Sequence, residues 1–258
     1  MRLTFLGTGT SNGIPIIGCH CPVCTSDDPR DRRSRTSAVI HHNDRNILID
    51  TATELRIQAI NAGLDQVDAV LFTHAHADHV GGFDDLRRFN EIGQQNLPVY
   101  AGPETARNLS ERFGYAFEHH FPFYGGKPDL DLIEFDGPFD LFGDIVTPIP
   151  VTHGNWTVHG FRIGSLAYLT DAKHIPDSSI DLLRNADVLV LNALRERSHP
   201  THLSLAEALE VIAEVKPKRA YLVHLAHELS HQVATDQLPS HVSVAWDGLS
   251  IDVTASGE

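Results

Sequence analysis

The stretch Leu71-Phe72-Thr73-His74-Ala75-His76-Ala77-Asp78-His79-Val80-Gly81-Gly82 decides how this chain folds. An apolar run over 67–72 leads into it and is typical of a buried strand. The histidines therefore begin where that strand ends. Because residues i and i+2 of an extended segment project from the same side, His74 and His76 can bind one metal ion together.

Asp78 and His79 complete this cluster of ligand-type side chains. The chain is predicted to turn into a helix here, and a carboxylate in the first turn suits the positive end of the helix dipole. The same turn places Asp78 and His79 beside a second cation. Imidazole and carboxylate ligands together suit zinc, manganese or iron. The alternative is a loop that is rich in histidine by chance, which explains the regular spacing less well.

The composition favours one soluble folded unit. The chain has 258 residues, of which 41% are hydrophobic, and no run rich in glycine, serine or proline separates two halves. We therefore expect residues 1–258 to form a single domain. The sequence contains no apolar stretch of about 20 residues, which is the length that a membrane helix needs. The N-terminus also lacks the apolar segment of a signal peptide. These features predict a cytoplasmic protein without a membrane partner.

The charge balance argues against nucleic acid as a partner. Lys and Arg number 20 and Asp and Glu number 34, which gives a formal net charge of −14. Broad binding to nucleic acid needs a basic surface, and the densest basic run is the short segment 30–35. Solubility explains the acidity, and bound divalent metal would neutralise part of it.

A second metal-binding motif is predicted in the loop at about 18–25. The run Cys19-His20-Cys21-Pro22-Val23-Cys24 holds all three cysteines of the chain. Thiolates at this spacing form a zinc knuckle that needs a fourth ligand, whereas an odd count argues against a disulfide framework. His20 is a candidate fourth ligand, although it lies inside the loop that it would have to close. Three unrelated buried thiols are the alternative.

Ligand-type side chains also recur at the ends of short apolar strands. The residues that follow such strands are His74, His153, Asp171 and His224. Side chains at one end of successive strands can meet at one edge of a sheet sandwich. A lone histidine at a strand end is more often structural, but four such positions beside one cluster favour a shared metal centre.

Local patterns predict several other elements. They are a strand pair around Asn43-Asp44, a helix over 53–61 that stops at Gly63, a helix over 203–215 that opens at Ser204, and a closing hairpin on Asp247-Gly248. The loop 7–13 contains three glycines, so it either presents backbone N–H groups to a phosphate or turns tightly beside the metal site. The aromatic, histidine-rich segment 114–128 fits a lid, a subunit contact, a substrate wall or a packed surface loop.

The spacing His-x-His-x-Asp-His resembles the signature of the metallo-β-lactamase superfamily, and the strand-end residues extend this likeness over nearly the whole chain. The resemblance implies an α+β fold, a four-layer αββα sandwich of two mixed sheets with helices outside. It also implies two divalent metals, zinc or manganese, with a bridging water or hydroxide. The implied ligands are His74, His76 and His153 for the first metal, Asp78, His79 and His224 for the second, and Asp171 for both.

The N-terminal segment resembles that of the PhnP phosphodiesterases, because Gly7-Thr8-Gly9-Thr10 precedes the cysteine motif. This resemblance implies a homodimer and a structural zinc bound by Cys19, Cys21, Cys24 and His227. The related tRNase Z enzymes have a further catalytic histidine, which His202 matches best. If the loop folds differently, His199 takes that role instead. We therefore predict Asp78 and His202 as catalytic residues.

The predicted function is hydrolysis of small phosphate diesters, including cyclic ones such as ribose 1,2-cyclic phosphates and 2′,3′-cyclic nucleotides. A hydroxide held between two cations ~3.5–4 Å apart would attack phosphorus, and His202 would protonate the leaving oxygen. The alternatives are a tRNase Z-like RNA endonuclease, which predicts a basic arm, and a lactonase or thioesterase. A β-lactamase of this kind would usually place a cysteine in the second metal site, whereas the cysteines here lie in the knuckle.

Overall fold

A computed structural model of the chain describes residues 1–118 and 126–253. Within the segment 114–128, for which four roles were considered, residues 119–125 lie outside the described part. Among the described residues, no helix is both long and apolar enough to cross a bilayer.

Seven strands of the described residues form the first sheet. In spatial order they are β14 (Ser250–Asp252), β1 (Arg2–Gly7), β2 (Ser37–His42), β3 (Arg45–Ile49), β4 (Ala69–Phe72), β5 (Leu97–Ala101) and β6 (Leu130–Glu134). The predicted strand pair is confirmed as β2 and β3, which are antiparallel. Asn43 and Asp44 connect them with φ of 50° and 58°, a conformation that Asn and Asp tolerate.

A second sheet of seven strands is also present in the described residues. In spatial order it contains β13 (Val242–Val244), β12 (Arg219–Val223), β11 (Val188–Asn192), β10 (Leu166–Tyr168), β9 (Trp156–Ile163), β8 (Asp144–His153) and β7 (Phe139–Leu141). Pairing is antiparallel from β7 to β10 and parallel from β10 to β13. Strands β8, β10, β11 and β12 therefore end at the same edge of this sheet.

Helices cover the outer faces of both sheets. Those described are α1 (Leu55–Ala62), α2 (Ala77–Val80), α3 (Leu86–Gly93), α4 (Pro103–Phe113), α5 (Asp177–Leu183), α6 (Leu205–Val215) and α7 (His231–Thr235). Along β11, Val188 and Val190 pack against the first sheet. Leu189 and Leu191 face the other way and pack with residues of α5 and α6. This alternation is expected for a strand that is buried on both faces, and it confirms the four-layer αββα sandwich.

The predicted C-terminal hairpin is wrong. Strand β13 pairs with β12 in the second sheet, whereas β14 pairs with β1 in the first sheet. Asp247, which lies between them, accepts hydrogen bonds from Thr8 Oγ1 at 2.8 Å and from the backbone N–H of Ser34 at 2.7 Å. Asp247-Gly248 therefore connects the two sheets and does not form a hairpin. The Asp247 carboxylate fixes this connection because it binds to loops of the first sheet.

Ser204 is expected to stabilise the fold through the N-terminus of α6. Its Oγ accepts a hydrogen bond from the backbone N–H of Glu207 at 3.4 Å, and Glu207 Oε2 accepts one from the Ser204 N–H at 2.7 Å. Loss of such a cap typically lowers the free energy of unfolding by about 0.5–2 kcal/mol, whereas glycine at the same position costs only a few tenths. Urea denaturation of Ser204→Ala and Ser204→Gly tests this, and equal losses for both variants contradict it.

Candidate metal centre

The predicted ligands come together where strands of both sheets end. His74 lies two residues beyond β4, His153 is the last residue of β8, and His224 directly follows β12. Asp171 lies three residues beyond β10. Since these strands end at one edge of the sandwich, side chains that are distant in sequence face one another across it.

The first ligand set contains His74, His76 and His153, whose ligand atoms lie within 4.8 Å of one another. His74 Nε2 and His76 Nδ1 are 3.0 Å apart. His153 Nδ1 donates a hydrogen bond to the backbone oxygen of Thr201 at 2.8 Å, which leaves Nε2 free to bind a metal.

The second set contains Asp78, His79 and His224, and Asp171 offers an oxygen within 4.8 Å of all three ligand atoms. Asp78 lies in the first turn of α2, as the sequence predicts, and its Oδ2 is 3.4 Å from His79 Nε2. That nitrogen is fully buried and has no hydrogen-bond partner among the described residues. A buried nitrogen without a partner is costly, so this donor set fits a bound cation.

Asp171 lies between the two sets. Its Oδ2 is 3.8 Å from His74 Nε2 and 4.0 Å from His153 Nε2. Its Oδ1 is 3.5 Å from His79 Nε2 and 3.2 Å from His224 Nδ1. Each carboxylate oxygen thus faces one ligand set, as a bridging ligand requires.

Burial and neighbouring charges shift the pKa values of the ligand-type side chains at the centre. Burial lowers the pKa of His74 well below its usual range and lowers the pKa of His224 to about 4, so both imidazoles are neutral. Burial alone would raise the pKa of Asp171, but His224 and His79 hold this pKa well below its usual value. Neutral imidazole and ionised carboxylate are the forms that bind metal. Burial alone would lower the pKa of His79, but Asp171, Asp78 and Asp50 raise it well above its usual value, so this ring must release a proton when it binds a metal.

Sequence reasoning missed Asp50, which orients His79. Its Oδ2 is 2.7 Å from His79 Nδ1, and its Oδ1 accepts a hydrogen bond from the backbone N–H of Thr73 at 2.8 Å. Burial raises the pKa of this carboxyl group. Such carboxylate–histidine contacts fix the ring so that the other nitrogen faces the metal. Asp50 directly follows β3, so the strand-end pattern that pointed to the other ligands contained the signal.

The knuckle residues also lie together. Nδ1 of His227 is 3.3 Å from Cys19 Sγ, 3.4 Å from Cys21 Sγ and 3.6 Å from Cys24 Sγ. Tetrahedral zinc with ordinary bond lengths places sulfur and nitrogen ligands about 3.6 Å apart, so these four residues fit a structural zinc. His20 is exposed and is not part of this set.

His202 faces the centre, and His199 lies behind it. His202 Nε2 is 3.3 Å from Asp171 Oδ2, and its ring stacks on His224 with centroids 4.9 Å apart. On the other side of the ring, His202 Nδ1 is 3.0 Å from Thr201 Oγ1 and 3.1 Å from His199 Nδ1. Of the two histidines considered as proton donors, His202 is therefore the one that reaches the metal ligands.

The glycine-rich loop 7–13 passes close to the second ligand set. A side chain at Gly7 would collide with the backbone oxygen of Arg35. Thr10 Oγ1 lies 3.2 Å from His224 Nε2. Tight packing beside the metal site therefore explains this loop without a bound phosphate.

Several known proteins are similar to this chain in sequence or in structure. A family model described as a beta-lactamase superfamily domain matches residues 45–225. A diphosphatase from the PhnP family, known from a crystal structure, is 40% identical, with 98% of each chain covered and a TM-score of 0.91. An octanoyltransferase of Porphyromonas gingivalis is 40% identical over 262 residues, which is 100% of this chain and 52% of that protein. The chain thus spans about half the length of this curated relative.

The fold is also similar to that of Zn²⁺-bound PqqB from Methylobacterium extorquens. The identity is 20%, the TM-score is 0.80, and the alignment covers 98% of this chain and 100% of the PqqB chain.

Asp50→Asn is expected to weaken metal binding at the His79 position by about 10–100-fold, because the ring loses its anionic partner. Competition with a chromogenic chelator measures this affinity. Asp68→Asn is the matched control, since Asp68 is also buried but accepts hydrogen bonds from Arg45 and Asn46 away from the centre. Equal metal affinities in the two variants would contradict the role assigned to Asp50.

Cys21→Ala is expected to remove one zinc ion per chain and to leave the metals of the active site in place. The physical reason is that the two ligand groups share no residue. Elemental analysis after desalting measures the metal content. The control is His20→Ala, which alters an exposed neighbour and is expected to keep all metals. A Cys21→Ala protein with unchanged metal content would show that the cysteines bind no zinc.

Proposed function

Because the chain belongs to the metallo-β-lactamase superfamily and, within it, to the PhnP family, we propose that it is a dinuclear metallo-hydrolase of small phosphate diesters and diphosphates. The observation that carries this proposal is the position of Asp171, whose two oxygens face two separate ligand sets. Two divalent cations bound there would lower the pKa of a water molecule and stabilise charge on a phosphoryl oxygen.

The residues of the chain have separate tasks in this proposal. His74, His76 and His153 would hold one cation, and Asp78, His79 and His224 would hold the other, with Asp171 between them. His202 would donate a proton from Nε2 to the leaving oxygen of the ester. The Thr201 hydroxyl contacts Nδ1 of the same ring at 3.0 Å and thereby orients it. Asp50 keeps His79 in the orientation that directs Nε2 at the cation.

The negative net charge of the chain favours a small substrate. The formal net charge of −14 disfavours approach of a long polyanion, whereas two cations at the centre attract a small phosphoester locally. We therefore propose a small-molecule substrate and not a tRNA precursor.

We do not propose acyl transfer for this chain, although it is similar to an octanoyltransferase. The match covers 52% of that protein. Covalent acyl transfer needs a nucleophile such as a thiolate near the reacting group. All three cysteines of the chain contribute to the knuckle cluster and not to the Asp171 centre.

A direct test incubates the purified, metal-quantified protein with bis(p-nitrophenyl) phosphate, 2′,3′-cyclic nucleotides, a nucleoside diphosphate sugar, a lactone, an octanoyl thioester and a pre-tRNA. We expect turnover of the small phosphoesters, loss of activity with a chelator, and recovery on addition of zinc or manganese. Faster turnover of the lactone, the thioester or the pre-tRNA than of every small phosphoester would overturn the proposal.

His202→Ala is expected to keep much of its activity on bis(p-nitrophenyl) phosphate and to lose ~10²–10⁴-fold on a 2′,3′-cyclic nucleotide. The reason is that p-nitrophenolate leaves without a proton, whereas a ribose alkoxide does not. Rates on both substrates and the metal content are measured together. His199→Ala, which alters the ring behind His202, is expected to lose less. Equal losses on both substrates, or a fall in bound metal, would show that His202 does something other than donate a proton.

A further inference from the structure

His202 belongs to a short loop whose two ends are tied together. We call residues 194–203 the acid loop. The backbone N–H of Leu194 donates to the oxygen of Leu203 at 2.9 Å, and Leu205 N–H donates to the oxygen of Arg195 at 2.9 Å. A closed loop of this kind moves as a unit, so its attachment points decide where His202 lies.

On its inner side, the acid loop contacts the metal centre through Thr201. The Thr201 backbone oxygen accepts a hydrogen bond from His153 at 2.8 Å, and its hydroxyl lies 3.0 Å from His202 Nδ1. A small displacement of the loop would therefore change the direction in which His202 points toward Asp171.

On its outer side, the acid loop is held by Glu228. One carboxylate oxygen, Oε1, accepts hydrogen bonds from Arg195 Nη1 at 3.0 Å and from Arg197 Nη2 at 2.9 Å. Arg195 also donates to the backbone oxygen of Ser198 at 3.4 Å, so its guanidinium crosses the loop just before His199.

Glu228 is itself anchored to the zinc knuckle. It follows His227, whose imidazole lies among the three cysteine sulfurs. In addition, Ala226 N–H donates to the Leu194 oxygen at 2.8 Å. Residues 226–228, which include the knuckle histidine, thus contact the acid loop through one backbone hydrogen bond and through the Glu228 carboxylate, which accepts two hydrogen bonds.

Surface ion pairs usually contribute little, but the surroundings of this one are unusual. The Arg195 side chain is 20% exposed, whereas that of Arg197 is 74% exposed, so Arg195 is the stronger restraint of the two. Glu228 binds both guanidinium groups and therefore contacts the acid loop at two residues.

We propose that Glu228 is a positioning residue for His202. By holding the acid loop against the knuckle, it supports proton donation to the leaving group, and it contributes nothing to metal binding at the active site. The structural zinc thereby gains a role in catalysis through Glu228. This inference rests on the proposed function of His202 as the general acid.

The test measures kcat/KM for a series of aryl phosphodiesters whose leaving phenols range from p-nitrophenol to phenol. Glu228→Ala is expected to be near the parent on the p-nitrophenyl ester and about tenfold slower on the phenyl ester, a part of what a general acid contributes. Glu228→Gln keeps an acceptor oxygen and is expected to restore part of this loss. The matched control is Glu214→Ala, which removes a Glu–Arg contact of 3.1 Å with Arg184 and is expected to behave like the parent.

A double variant separates the inference from the proposed function. If Glu228 acts through His202, His202→Ala and His202→Ala/Glu228→Ala have the same rates across the series, at equal metal content. A His202→Ala protein whose losses do not depend on the leaving group overturns the acid role itself. If His202→Ala shows that dependence but Glu228→Ala lowers the rate further in this background, or lowers the metal content, the positioning role is overturned and the proposed function stands.

Discussion

Burial of the Asp171 carboxylate is the constraint on which the centre depends. The residue is 1% exposed and is surrounded mainly by imidazoles, two of which burial keeps neutral. Burying an anion costs several kcal/mol, and the neighbouring His79, whose pKa is raised well above its usual value, offsets part of that cost. Bound cations would remove the rest, and their binding energy would become folding energy because the site does not exist in the unfolded chain. The same carboxylate therefore connects the two ligand sets, which come from both sheets. It also affects the stability of the edge at which they lie.

The backbone supports this arrangement at three places. Asp50, Asp171 and His224 have φ of 59°, 56° and 60°, a left-handed conformation that non-glycine residues rarely adopt. Each lies within three residues of a strand end, where the chain must turn sharply while its side chain stays directed inward. Such strain costs of order 1–3 kcal/mol per residue and persists only where the surrounding structure enforces it. At these three positions the surrounding sandwich therefore holds the backbone of two ligands and of Asp50 in place.

Most of the fold was predictable because its signals are local. The His-x-His-x-Asp-His spacing, the Gly63 stop of α1 and the Ser204 cap of α6 each depend on a few neighbouring residues. The features that were wrongly predicted or missed depend instead on residues that are distant in sequence. Asp247-Gly248 has the composition of a hairpin turn, but the partners of Asp247 are Thr8 and Ser34, which no local pattern reveals. Asp50 looked like an ordinary strand end, and His227 entered only through resemblance, because its cysteine partners lie about two hundred residues earlier.

The two ends of the described chain meet far from this centre. The backbone N–H of Val253 donates to the oxygen of Met1 at 2.9 Å, and β1 runs from there toward the loop that passes His224. Its six residues span roughly 20 Å. Met1 and Val253 therefore both lie at the edge of the sandwich opposite the ligand sets. A further folded unit joined at that edge would leave the edge that carries the ligand sets uncovered.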